Sequence, residues 1–394
     1  MSLLAAIFWL SAAAVLYIYA GYPLLVWLAG RLRSSGAGQL HGTTPDDLSV
    51  VIVVCNEAHR LRAKLDSLLA ADCADRIREV LIGSDGSDDD TTAVLASYPD
   101  PRVRLIHFNE RRGKPAVLNE VIPHCQSELV ILTDARQPLE PDAISMLAAR
   151  FADPRVGVVS GELMFRTSHE ATATAIGMGA YWSYEKFIRK SESRFRSVPG
   201  ATGAFYAIRK SLFRRVPDNT LLDDVVIPMQ AIEQGYRCLL ESGAIAWDTP
   251  SQSNRQEAIR KRRTIAGAAQ LLVNQPRWLL PWKNPIWWEF VSHKLLRLIS
   301  PLLLLLTLGS NLALVASPSS GPLARLTTLP YQGTLALQCG FYLLALLAWL
   351  LTRAGRKAAI LSPVLMFVSL NITTLLALWD ATRGRYRATW QRAA

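Results

Sequence analysis

Cysteine is scarce in this 394-residue chain: there are five, Cys55, Cys73, Cys125, Cys238 and Cys339, and no two stand in CxxC spacing. An odd, scattered set excludes a disulfide framework or a cysteine zinc site and reads as reduced thiols facing a cytosol. Cations are also missing ahead of the first apolar run, residues 3–29. A cleavable signal peptide carries its basic residues before the apolar core and a small-residue cleavage site after it. Here Arg31 and Arg33 follow the run, which predicts an uncleaved anchor with its short N-terminus outside and the next domain inside. Acids are the minority charge, 32 against 43 Lys and Arg, for a net charge of +11. Such a balance by itself admits nucleic acid, anionic lipid or phosphate-bearing substrates. What is absent is a stripe of cations and aromatics on a soluble stretch, so nucleic acid is not an expected partner. The arginines flank the apolar stretches instead, as beside an anionic cytoplasmic leaflet.

What the chain does have is unevenly distributed. Half its residues are hydrophobic and the mean hydropathy is +0.17, high for a wholly soluble chain. The excess sits at the two ends. Besides residues 1–30, three apolar stretches lie near 296–316, 331–352 and 359–379, each long enough for ~20 residues of span. Residues 276–298 mix Trp278, Trp282, Trp287 and Trp288 with Arg277, Lys283, Lys294 and Arg297. Tryptophan and cations interleaved in this way predict interfacial helices, or else a surface helix packed on the soluble domain. Four full spans put both termini on one side of the membrane. The basic tail, 381–394 with Arg383, Arg385, Arg387 and Arg392, belongs in the cytoplasm by the positive-inside rule. Either the last stretch, with Pro363 and Asn371 inside it, does not fully cross, or the tail is an exception.

Between about 45 and 275, short β-branched runs alternate with helical stretches. Residues 49–54, 79–83, 103–107 and 128–133 read as strands buried on both faces. Residues 56–71, 89–97, 114–125 and 141–151 read as the helices between them. The alternation implies an α/β domain with a mostly parallel, Rossmann-like sheet. Ligands of such sheets bind beyond the carboxyl ends of the strands. Three strands end there in polar groups: Asn56-Glu57, Asp85-Gly86-Ser87-Asp88, and Asp134-Ala135-Arg136. One such group reads as a helix cap or turn. Three on one rim read as a binding site.

The segments VIVVCNEAHRL, SDGSDDDTT, RRGKPAVLNEVI, LTDARQPLEPDAI, GATGAFYAIRKSLF, LLDDVVIPMQAIEQGYR and RKRRTIAGAAQLL occur in that order. Together they resemble the family 2 glycosyltransferases of GT-A fold, in the branch of membrane-embedded synthases of cellulose, hyaluronan, chitin oligosaccharides and poly-N-acetylglucosamine. The resemblance covers roughly residues 45–275. It implies an inverting transferase at the cytoplasmic face of a bacterial inner membrane, passing sugar from a nucleotide sugar, expected to be a UDP-sugar, to a growing β-linked polysaccharide. A single transfer to a lipid-linked acceptor is the alternative. Another is a catalytically silent subunit that binds nucleotide or glycan in an export complex; no export partner is legible.

Residue by residue, the resemblance assigns donor binding to Asn56, Glu57, Asp85 and Lys114, although Lys114 also reads as an ordinary helix-start lysine. Asp134 matches the first aspartate of the family's DxD and would hold Mg²⁺ or Mn²⁺ together with phosphate oxygens and water. Position 136 departs from that motif: Arg136 stands where the second aspartate belongs and would meet the diphosphate directly. Asp223 and Asp224 match the acidic pair whose second member, Asp224, takes the acceptor proton. Adjacent carboxylates raise each other's pKa, which suits a base; the pair also reads as a helix N-terminus. Arg260 and Arg263 fall in the place of QxxRW as diphosphate contacts, but Arg260 replaces its glutamine and Thr264 its tryptophan, which weakens the case for long processive synthesis. Gly200, Thr202, Gly203 and Trp182 match the acceptor side.

Overall fold

The computed structural model describes residues 2–33, 43–165, 173–248, 254–317, 324–356 and 359–383; side chains within 173–178, 254–260 and 324–327 lie outside the description. The run LSVVIVV forms β1 (Leu48–Val54), every residue of which is buried. This is what a continuous β-branched stretch gives when both faces of a sheet are covered. After it come α2 (Ala58–Leu69), β2 (Ile77–Asp85), α3 (Thr91–Ala96), β3 (Val103–Phe108), α4 (Lys114–Val121), β4 (Leu129–Thr133), α5 (Ala143–Ala149) and β5 (Val156–Phe165). The helix preceding β1, Leu3–Arg33, is α1. Beyond β5 the chain forms α6 (Ala173–Phe195), β6 (Phe205–Arg209), α7 (Asp223–Glu233), β7 (Arg237–Asp248) and α8 (Asn254–Asn274).

The seven strands form one sheet in the order β3-β2-β1-β4-β6-β5-β7. Pairing is parallel through β3, β2, β1 and β4, antiparallel on both sides of β6, and parallel again between β5 and β7. The mostly parallel α/β sheet is therefore as expected, and β6 is the one reversal. β3 is a correction: it is only half-buried, because as an edge strand it has a neighbour on one side only. Gly83 lets α4 close on β2, since a Cβ there would stand 2.3 Å from Val117 Cγ1. Two apolar layers, one on each face of the sheet, complete the domain core.

Among the described residues four helices are long and apolar enough to cross a membrane: α1, α9 (Trp287–Ala316), α10 (Ala324–Arg353, apolar from Thr328) and the segment Ala359–Thr382. The last comprises a 3₁₀ turn at Ala359–Leu361 and α11 (Ser362–Thr382). Pro363 is no interruption, because it occupies the first helical turn, where its missing N–H costs nothing. α1 and α9 run side by side, joined by Ser11–Thr307 at 2.9 Å, Tyr19–Ser300 at 2.8 Å and Tyr17–Ser292 at 2.8 Å. Leucines on these helices face outward, among them Leu10, Leu305 and Leu337, an arrangement suited to lipid. Separate interfacial helices at 276–298 do not form. Pro276–Leu279 is a 3₁₀ turn whose Trp278 is fully buried in the domain core against Phe290, and Trp287 begins the long α9.

Candidate active site

Parallel pairing brings the ends of β1, β2 and β4 to one rim. Because β6 runs the other way, with Phe205 opposite Thr133, the loop 200–204 that precedes it arrives at the same rim. The polar groups after each strand thus converge although they lie far apart in sequence. Asn56 turns at φ 59°, a left-handed conformation that asparagine tolerates better than most residues. Its side chain pairs with Asp88, accepting from the Asp88 N–H at 2.9 Å, and its own N–H donates to Ser87 Oγ at 3.2 Å. Glu57 pairs with Arg60 at 2.8 Å. Asp85 is fully buried and accepts from the N–H groups of Arg112 at 2.6 Å and Gly113 at 2.9 Å. In this geometry it fixes the turn that starts α4 and does not face solvent. Gly113, at φ 90°, takes a backbone conformation that side chains resist.

That turn delivers Lys114 to the centre of the rim. Its ammonium donates to Asp134 Oδ1 at 2.8 Å and to the Gly203 carbonyl at 3.2 Å. Burial works to lower the Lys114 pKa, and the carboxylates of Asp134, Asp223 and Asp224 outweigh it, so the ammonium is held charged. On the other side of Gly203 lies Asp224: a Cβ on that glycine would be 2.8 Å from Asp224 Oδ2. Gly200, at φ +120°, is packed as closely on Val225, and the Ala201 N–H donates to the Asp224 carbonyl at 2.7 Å. Asp223 and Asp224 open α7, where a helix N-terminus favours negative charge. Burial nevertheless dominates. It raises both carboxyls, with Asp223 adding to the effect on Asp224, whose pKa reaches about 6 against the pull of Lys114. Asp223 Oδ2 and the Tyr206 hydroxyl are buried without a hydrogen-bond partner.

Arg136 is committed differently from expectation. Its guanidinium pairs at 2.8 Å with Asp248, a buried carboxylate at the end of β7, so it braces the sheet edge beside Asp134. Arg263, on α8, comes close enough for its charge to lower the Asp223 pKa. The side chain of Arg260 lies outside the described residues. α8 itself is seated on the loop before α7: Gln270 Oε1 accepts from the Leu221 N–H at 2.9 Å, Gln270 Nε2 donates to the Asn219 carbonyl at 2.9 Å, and a Cβ on Gly267 would meet Leu222 at 2.6 Å. Thr202 and Trp182 line one cavity with Glu162, Lys186 and Arg189.

Three supporting residues escaped the sequence. Arg189 donates to Thr202 Oγ1 at 2.8 Å and to Ser160 Oγ at 3.0 Å, fixing the 200–204 loop from α6. Lys64 lies beneath Asp134, donating to Thr133 Oγ1 at 2.9 Å and to the Gln137 carbonyl at 2.6 Å, and burial lowers its pKa to about 7. Asp248 is the third. In sequence each is one polar residue in an amphipathic helix or at a strand end, and only the fold brings it to the site.

Among the described residues no three or more His, Cys, Asp or Glu side chains are arranged to hold a metal ion by themselves. The acids that face the rim, Asp134 and the unpartnered oxygen of Asp223, fit a divalent cation held by one or two carboxylates together with substrate phosphates.

Residues 49–216 match the family model for glycosyl transferase family 2. An N-acetylglucosaminyltransferase of Sinorhizobium fredii (strain NBRC 101917 / NGR234) is 26% identical over 204 residues, 50% of this chain and 49% of the relative. An undecaprenyl-phosphate 4-deoxy-4-formamido-L-arabinose transferase of Sodalis glossinidius (strain morsitans) is 32% identical over 112 residues, 27% of this chain and 34% of the relative. The chain thus spans half or less of the curated relatives it matches. A mannosyltransferase of Pyrobaculum calidifontis, solved in complex with GDP-Man and Mn2+, superposes with a TM-score of 0.68 at 21% identity, covering 98% of this chain and 100% of that one. Residues 49–216 are therefore a family 2 glycosyltransferase domain, and the fold is GT-A, as the ordered motifs imply.

Proposed function

We propose that this family 2 glycosyltransferase transfers a sugar from a nucleotide sugar, with inversion, to a growing β-linked polysaccharide at the cytoplasmic face of a bacterial inner membrane. The observation that carries the reading is the juxtaposition of Asp224, Gly203 and Lys114. A carboxylate whose proton affinity burial has raised lies directly against a bare backbone, with a fixed ammonium on the other side. A base works best when its pKa lies near the operating pH. As the acceptor hydroxyl attacks the anomeric carbon from the face opposite the leaving group, Asp224 takes the hydroxyl proton. The bond to the nucleoside diphosphate breaks with its electron pair. Lys114 and Arg263 supply the positive charge that the departing diphosphate needs. A divalent ion held by Asp134, with Asp223 at hand, would add Lewis-acid neutralisation of the same phosphates. Asp85 acts as a positioning residue through the Arg112–Gly113 turn, with Asn56 and Glu57 beside the nucleotide. Gly200, Thr202 and Trp182 border the acceptor.

A single transfer to a lipid-linked acceptor is the second reading. Thr264, exposed on α8 where the processive enzymes carry tryptophan, favours it. Purified protein incubated with UDP-N-acetylglucosamine, UDP-glucose and GDP-mannose in turn is expected to release nucleotide from one of them, and failure with a full donor panel despite tight nucleotide binding would overturn the enzyme reading. Mass spectrometry of the product separates the acceptors: a ladder means polymer, a single added mass means one transfer.

A further inference from the structure

α11 has the length and hydropathy of a membrane span, yet its contacts contradict a crossing. Its last turn ends on the catalytic domain: Asp380 faces Arg262 of α8 at 3.8 Å, and Ala381 packs on Leu221 and Ala266, beside the loop that leads into Asp223. The other end can be placed by following the chain. α9 leaves the domain, where Arg297 faces Glu185 of α6 and Glu289 faces Arg196, just beyond the end of α6. By Asn311 and Thr334 it has reached the far side, where Tyr331 of α10 packs on Phe8 near the start of α1. α10 must therefore return toward the domain. At ~1.5 Å per residue its 30 residues are ample for ~30 Å of hydrocarbon. The 3₁₀ turn that follows it, Ala359–Leu361, packs on α10 and on α6 of the catalytic domain. α11 thus starts and finishes on the domain side, and along its length it lies on α6 and α8.

We infer that α11 is an in-plane helix on the membrane-facing side of the catalytic domain, that among the described helices α1, α9 and α10 cross the membrane, and that the end of α11 stays on the catalytic side. One face, through Asn371, is fixed to Ser300 at 3.0 Å and Tyr19 at 3.3 Å. Ile372, Leu376 and Trp379, spaced i, i+4, i+7, are exposed on another and meet lipid at the headgroup level, with Arg383 stacked on Trp379 at 4.4 Å. A tryptophan–arginine pair of this kind suits the interface. Three crossings also leave Arg383, at the end of α11, where the positive-inside rule wants it. Because α11 braces α8, which in turn holds Leu221 through Gln270, the seating of the membrane helices reaches the Asp223–Asp224 corner.

The test is a protease-cleavable tag after Ala394 and, in a second version of the full chain, one within residues 318–323, in sealed membrane vesicles of known orientation. In vesicles whose catalytic domain is protease-accessible, the C-terminal tag is expected to be cut and the 318–323 tag protected, each by at least tenfold in rate over its counterpart. Protection of the C-terminal tag in those vesicles would overturn the inference. So would cleavage at 318–323, which would mean that α9 does not cross; nucleotide-sugar turnover by the same vesicles reports separately on the proposed activity.

Discussion

Two polar regions, one in the catalytic domain and one where it meets the membrane helices, set buried acids against cations to opposite ends. At the rim, Lys114, Asp134, Asp223 and Asp224 crowd three carboxylates around one ammonium, and burial leaves both members of the acidic pair holding their protons too tightly. At the boundary with the membrane helices, Glu185 accepts from His293 at 2.7 Å and from Arg297 at 2.5 Å, while His293 also meets Glu192 at 2.8 Å and Tyr22 donates to Glu192 at 2.5 Å. There burial would raise the Glu185 carboxyl, and the facing cations hold it well below the usual carboxylate range instead. The difference is one of balance. Buried charge matched by opposite charge fixes a joint, whereas buried charge in excess of its partners stays reactive. The boundary also joins two π turns, Tyr17–Gly21 in α1 and Val291–Leu295 in α9, through the Tyr17–Ser292 bond. π turns interrupt a helix where a side chain must be aimed.

The contrast can be broken most directly at the rim. Asp224→Asn is expected to cut turnover by ~10²–10⁴-fold, the range of a lost general base, with nucleotide affinity nearly unchanged; an unaltered rate would remove the base assignment. Because folding raises its pKa, Asp224 holds its proton to higher pH in the folded chain than in the unfolded one. Its cost to stability is therefore absent below about pH 4, grows as pH rises to about 6, and is complete above that. Asp224→Asn should accordingly raise the Tm at pH 8 and leave it unchanged at pH 4, as thermal unfolding in detergent will show.

At the boundary the same kind of change should act first on stability. Glu185→Gln leaves buried cations short of their partner and is expected to destabilise the fold by about 3–5 kcal/mol, as thermal unfolding in detergent will show. Since the folded Glu185 pKa is depressed, the stability it contributes is present at neutral pH and is lost as pH falls below about 4. Acid should therefore loosen the boundary in the range where turnover has already failed. Turnover itself should fall as pH drops through about 6, where Asp224 gains its proton; a pH–rate profile flat to pH 5 would oppose this. The smallest effect is expected from Arg136→Lys. Charge beside Asp248 is kept and only the guanidinium geometry is lost, so turnover should change by less than about tenfold, some 1.4 kcal/mol.

The sequence by itself determined the alternation of β-branched strands with helices, the apolar segments and the order of the acidic motifs, since these are local properties of spacing and hydropathy. It read β3 as buried, because hydropathy does not reveal that a strand lies at a sheet edge. It read Asp85 and Arg136 as ligand-facing, because composition does not show that Asp85 is consumed by two backbone N–H groups or Arg136 by a carboxylate 112 residues away. Lys64, Arg189 and Asp248 gave no signal. Tertiary structure alone decided which charges would meet, and therefore which are balanced and which remain reactive. The same holds for α11: its length and apolarity satisfy the requirements of a span, and the direction of a helix relative to a domain depends on contacts between residues more than a hundred positions apart, such as Arg262 with Asp380.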